Sequence, residues 1–241
     1  MLEFYRWIPD HPFESKFPRD PGLYDNHLEF YFADLEHIFT HWNGEGKVAL
    51  VTLSNPTETG DWFTCDTFQL EDIISLHEWN IWKENDLCLL AVKQKGDMLA
   101  YIKNPTKEIC LVALQCTGNA IQFIKDPDEE MCLTAVRQDP WVLEFIKHQT
   151  VEICLAALLG NGMLLQFVHD QTPELCMVAV MTCGLALKFV KQQTPAICIQ
   201  AVKHDGMALE HVINKTSEMC ILAKHQNRNA CTYFDSNFNS S

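Results

Sequence analysis

The chain has 241 residues, 47% of them apolar, and a formal net charge of −14. That is enough apolar material for a real core, which excludes a disordered chain, and an acidic surface disfavours binding to phosphate backbones. There is no apolar run long enough to span a bilayer, and the opening "MLEFYRWIPDHPFESKF" lacks the basic and apolar blocks of a secretory signal. The eleven cysteines therefore read as free thiols in a reducing compartment.

The first 80 residues differ in composition from the remainder of the chain. Residues 1–85 hold 16 acids against 5 Lys or Arg, and five of the six Trp fall within the first 82 positions. Leu28 to Phe32 reads as a strand, and Asp34 as the cap of a helix with Leu35, Ile38, Phe39 and Trp42 on one face. Lys47 to Leu53 reads as a second strand and Trp62 to Phe68 as a third, with a helix over Glu71 to Trp79 leading onward. This is a small α+β module. His37 and His41 are four apart with Glu36 beside them, but no third ligand completes a metal motif, so rim histidines are the better reading. Asp61, Asp66 and Asp72 form no recognisable pair. No nucleophile elbow, phosphate loop or zinc signature occurs, so no catalytic, cofactor or metal residue is assigned.

From residue 81 the chain repeats. Cys88, Cys110, Cys132, Cys154, Cys176, Cys198 and Cys220 stand at an unbroken 22-residue interval, and an alanine comes three residues after each. An aromatic column reads Tyr101, Phe123, Phe145, Phe167, Phe189, His211, and a turn column Gly96, Gly118, Pro140, Gly162, Gly184, Gly206. Each repeat reads as two short helices. In the fifth, Thr172 caps, Pro173 suits the first helical position and Glu174 faces the positive end of the dipole. Leu175, Cys176, Ala179 and Val180 then form one buried face, and Gly184 can end the helix in the left-handed conformation. Helices this short need neighbours. The fold class is mainly α, an α-solenoid of stacked two-helix repeats preceded by the α+β module. The aromatic column reads as a continuous buried spine between second helices.

A cysteine at a fixed step admits a metal site, a disulfide ladder or a packing column. Equivalent residues of stacked helices lie roughly 8–10 Å apart, whereas a disulfide needs Cα atoms closer than about 7 Å. No histidine column accompanies the cysteines. Packing is the preferred reading, because free Cys behaves as a small buried hydrophobe. Lys224 takes the place of Val180 and its equivalents in the last repeat, so no further repeat stacks there, and Trp79 and Trp82 are placed to cover the first. These signals set the boundaries: a module over 1–80, repeats over 81–227, and a cap and polar tail over 228–241.

Two columns beside the turn change character along the array. They read Asp97, Asn119, Trp141, Met163, Leu185, Met207 after it and Lys93, Gln115, Arg137, Leu159, Met181, Lys203 before it. An apolar patch rimmed by charge marks an interaction surface, which makes Trp141, Leu159, Met163, Met181, Leu185 and Met207 candidate partner-binding residues. The same columns are compatible with side chains that fold over the loop edge and cover each other.

The phrase "QTPELCMVAV…GLALKFVKQQTPAIC" resembles an uncharacterised helical repeat family of giant DNA viruses of amoebae, and the likeness covers residues 84–223. "GLYDNHLEFYFADLEHIFTHW" is similar, through Tyr31, Phe32, Asp34, Ile38 and Phe39, to the module preceding ankyrin repeats in giant-virus proteins. The resemblance implies a viral origin and, with it, host cytoplasm, viral factory or virion, and it brings no activity. The leading reading is a non-enzymatic protein-binding scaffold with a host or viral protein as partner and no nucleic acid, membrane or cofactor. A minor virion component and an enzyme housed in the N-terminal module are the alternatives.

Overall fold

The structure is a computed structural model that describes residues 4–8, 22–25, 47–59, 62–65, 67–75, 78, 80–228 and 230. It divides into two compact units, Met1–Cys116 and Thr117–Ser241. The first contains an antiparallel sheet of β1 (Phe4–Ile8), β2 (Gly22–Asp25), β3 (Lys47–Ser54) and β6 (Thr67–Ser75), in the order β1-β3-β6-β2. The short strands β4 (Thr57–Thr59) and β5 (Trp62–Thr64) form a separate hairpin. Ala49, Val51 and Leu53 alternate into the core and meet Phe68 and Leu70.

The sheet corrects the sequence reading at two places. The strand foreseen over Trp62 to Phe68 is split between β5 and β6, and the helix foreseen over Glu71 to Trp79 does not form, because β6 runs on to Ser75. Ile73 and Ile74 pair with Ala49 and Val48 of β3, and a bulge at Leu50/Val51 absorbs the change of register. Pairing with a long central strand outweighs the helical pattern of the acids, as tertiary context often does for weak local propensity. The strand foreseen over Leu28 to Phe32, the helix after Asp34, Trp79, and the histidines His37 and His41 lie outside the described residues.

Seven α-helices of ten residues each come next: α1 (Asn85–Gln94), α2 (Lys107–Cys116), α3 (Glu129–Gln138), α4 (Val151–Gly160), α5 (Pro173–Thr182), α6 (Pro195–His204) and α7 (Ser217–Gln226). The regular spacing makes this a helical repeat fold. The second helix of each of the first six repeats is a six-residue 3-10 helix, such as Gly184–Phe189, rather than a second α-helix. In the first unit α1 packs on α2, and Trp82 stacks on Tyr101 at 6.0 Å, so the first repeat does receive an aromatic cover. In the second unit α3 to α7 pack side by side in order, and so do the successive 3-10 helices.

Glycine occupies the turn column for a different reason from the one foreseen. The α-helices end in extended residues, such as Cys183 with φ −147, whose N–H bonds back to the column alanine, here Ala179. No glycine is needed in the left-handed region. Instead, Gly118, Gly162, Gly184 and Gly206, each the first residue of its 3-10 helix, lie against the alanine carbonyl of the next repeat. A Cβ on Gly162 would stand 2.2 Å from Ala179 O, and one on Gly184 2.6 Å from Ala201 O. The alanine and glycine columns are two sides of one close approach. Pro140 breaks the column, and the next repeat answers it: a Cβ on Gly160 would meet the Pro140 ring at 2.7 Å. Elsewhere the residue equivalent to Gly160 caps the glycine N–H, from Gln138 to Gly118, His204 to Gly184 and Gln226 to Gly206. Proline has no N–H to cap, and its partner has lost the side chain.

The interior of the second unit is aliphatic, with Val142, Leu143, Leu164, Leu165, Leu187 and Leu209 fully covered between the two layers. The aromatic spine is overturned. Phe123 is 46% exposed and Phe145 45%, while Phe167 and Phe189 are half-buried. Phe123 and Phe145 are the last residues of their 3-10 helices, at the rim of the layer rather than between the two layers.

Candidate interaction surface

The repeats are held in register by hydrogen bonds that repeat with the sequence. Thr150, Thr172, Thr194 and Thr216 each accept, through the side-chain hydroxyl, the N–H of the residue just before the ladder cysteine; Asp128 does the same for Met131. These are N-caps of the ordinary kind, each contributing about 1 kcal/mol. A second set escaped the sequence reading. Gln171 Nε2 donates to Leu165 O in its own repeat edge and to Phe189 O in the next, while its Oε1 accepts from Lys191 N. Gln149 makes the equivalent bonds one repeat earlier, and Gln193 bridges to His211 O and Ile213 N one repeat later. One amide thus pins three otherwise terminal backbone groups. The "QT" that recurs at Gln149, Gln171 and Gln193 was the available signal.

The glutamines also complete the account of the cysteines. Cys154, Cys176 and Cys198 direct their thiols at the amide oxygens of Gln149, Gln171 and Gln193, at 3.8, 3.7 and 3.4 Å. The thiol is a weak donor, so this selects a small, buried group able to donate once rather than a reactive one. The ladder cysteines are buried and reduced, and no cluster of three or more metal-ligating side chains exists among the described residues. Burial pushes the thiols of Cys88, Cys132, Cys154, Cys176, Cys198 and Cys220 up from their ordinary value, helped at Cys132 by Asp128 and Glu129. Cys116 is exposed, and Cys65 and Cys183 are half-buried.

This burial sets the expected result of native thiol labelling at pH 8. Among the cysteines of the described residues Cys116 reacts first and the ladder does not react until the protein unfolds, checked by mass spectrometry of the labelled peptides. The pH dependence has a definite sign. Raised folded-state values mean that the native state keeps protons the unfolded chain releases. Stability from the ladder is therefore complete below the unfolded value near 9.0 and declines as pH rises beyond it.

The outer surface of the α-helices is where the repeats cease to agree. The inward face of α4 is Ile153, Cys154, Ala157 and Leu158, which places Glu152, Leu155 and Leu159 outward; on α5 the same positions are Glu174, Met177 and Met181. Leu155 and Met177 are half-buried, Leu159 is 69% exposed and Met181 55%. On the flanking helices Arg137 of α3 and Lys203 of α6 stand where α4 and α5 carry Leu159 and Met181. The column of Leu133, Leu155, Met177, Ile199 and Ile221 is apolar throughout, yet it lies away from the buried face. It was legible and was missed.

The turn-edge candidates divide. Trp141 is 50% exposed and sets its ring edge-on to Phe167 at 6.2 Å, while Met163, Leu185 and Met207 are half-buried. Three of the 3-10 helices are fixed at their start by a side-chain acceptor just before it: Asp139 takes the N–H of Trp141, Asn161 that of Met163 and Asp205 that of Met207. The Pro140–Gly160 contact puts the start of the Trp141 helix beside the end of α4, which carries Leu159. Of the carboxylates foreseen in the N-terminal module, Asp72 is exposed and accepts the N–H of Ile73; Asp61 and Asp66 lie outside the described residues. In comparison with known proteins, the chain matches no family model, no curated protein and no solved structure. No helix among the described residues is long and apolar enough to cross a membrane.

Proposed function

We propose that the chain is a non-enzymatic scaffold that binds another protein through the second compact unit. The observation that carries this reading is the exposure of Leu159 and Met181 on neighbouring helices, between Arg137 and Lys203 at the same position on the flanking ones. Packing within a repeat requires the alanine and cysteine columns and a turn residue matched to its neighbour, and the two columns hold throughout. It makes no demand on the outward positions, and these vary, as they do where a solenoid is fitted to a partner. Large apolar side chains kept exposed and rimmed by charge fit a contact surface. The resemblance to the giant-virus repeat family supports a host or viral protein as the partner, met in host cytoplasm or viral factory.

The test is a triple substitution, Trp141→Ala with Leu159→Ser and Met181→Ser. All three side chains are exposed, so the helical circular dichroism and the unfolding midpoint stay close to those of the native protein. Capture of the partner that the native chain retains from infected cells is lost. Retention of that partner by the folded triple variant rejects this surface.

A further inference from the structure

Resting on the scaffold reading, we propose that the outward face of α3 to α6 receives a basic amphipathic helix of the partner, laid across the α-helices with its apolar side down. Across this face the residues form parallel rows. Glu130, Glu152 and Glu174, all exposed, stand at the N-terminal ends of α3, α4 and α5. Leu133, Leu155 and Met177 form the middle row, and Leu159 and Met181 extend it on α4 and α5. The rows run across the stack because the repeats are in register, so an apolar strip lies beside an acidic strip over neighbouring helices.

An amphipathic helix lying across that strip buries one apolar stripe and places one flank above the glutamates. That flank must be basic, because carboxylates facing an acidic flank or a phosphate backbone repel it. Packed helices are spaced by roughly 8–10 Å, so α3 to α6 span about 24–30 Å, the length of a helix of ~16–20 residues. Arg137 and Lys203 bound the apolar strip on the side away from the glutamates. They repel a basic flank there and so set which way round the partner lies. Methionine at 177 and 181 gives the strip an adaptable surface, suited to partners of differing shape.

The experiment uses the full chain and two synthetic helical peptides of about 18 residues. They share one leucine stripe and differ in the flank, lysine in one and glutamate in the other, and binding is read by calorimetry at low and moderate salt. The lysine peptide binds and the glutamate peptide does not. Leu159→Ser with Met181→Ser weakens the lysine peptide by at least ~10-fold, as expected for central apolar anchors. Glu152→Gln with Glu174→Gln weakens it by about 3–10-fold and flattens the salt dependence. The proposal is overturned if the lysine peptide does not bind. Equal binding to the native chain and both variants overturns it too, since charge elsewhere on the chain is then what holds the peptide. Loss of partner capture in the triple variant, alongside failure of the lysine peptide, keeps the scaffold and removes the helix.

Discussion

Leu143→Ala unfolds the second compact unit at markedly lower denaturant than Phe145→Ala, although phenylalanine is the larger side chain. Leu143 is fully covered between the α-helical and 3-10 layers, whereas Phe145 keeps 45% of its surface in solvent. Removing the leucine leaves a cavity in a region already tied by Gln149, whose amide donates to Leu143 O, so the backbone there has little room to collapse. Large-to-small changes at such positions cost about 2–5 kcal/mol. The phenylalanine forfeits only the buried part of its transfer energy, roughly 1 kcal/mol. Urea unfolding followed by helix signal separates the two. A larger loss for Phe145→Ala would return the aromatic column to the interior.

Gly162→Ala costs more than an extra methyl normally would. The new Cβ lies 2.2 Å from Ala179 O, and the atom it meets is backbone, with Cys183 N a further constraint at 3.0 Å. A flexible side chain would swing away; a carbonyl bonded within its own helix cannot. Relief requires parting the 3-10 helix from α5, which opens the layer that Leu164 and Leu165 fill. Overpacking of this kind costs about 1–3 kcal/mol, and the rigid obstacle places this case at the upper end. For a chain of this size that lowers the melting temperature by roughly 6–10 °C. Gly160→Ala is the control, because its obstacle is the edge of the Pro140 ring at 2.7 Å, and it loses less. A melting temperature unchanged in Gly162→Ala would disprove the close approach.

The repeat was open to inspection in the sequence because buried columns tolerate few residue types. Cys154 and Ala157 recur at every step, and Thr150 and Thr172 announce their caps through the donors they satisfy. What the sequence concealed is direction. A phenylalanine at a fixed interval looks the same whether a short helix turns it inward or to the edge, and a turn glycine does not say whether it serves dihedral freedom or contact. Ile73 and Ile74 were ambiguous for another reason, since a strand depends on a partner some 25 residues away in the chain. Among the partner-binding candidates, Trp141, Leu159 and Met181 could be chosen because they break a polar column. Leu155 and Met177 were passed over because their column is apolar everywhere, although the spacing of Cys176, Ala179 and Val180 already sets Met177 off the buried face.

The pairing of Pro140 with Gly160 has a bearing on how such a chain can be rearranged. Repeats that share a step are often treated as interchangeable bricks, to be duplicated, deleted or shuffled. Here the joint carries the information, because Gly118, Pro140, Gly184 and Gly206 are each matched to a residue 20 positions later in the neighbouring copy. Deleting the 22 residues from Pro140 to Asn161 would remove Pro140 and Gly160 together and join Asp139 to Gly162, with the frame and the other joints intact. Moving the Pro140 repeat to precede one ending in Gln226 would set a ring against an amide that expects an N–H. Lengthening or trimming the array is therefore tolerated in whole matched joints, and the position of the one proline records which two copies have to travel together.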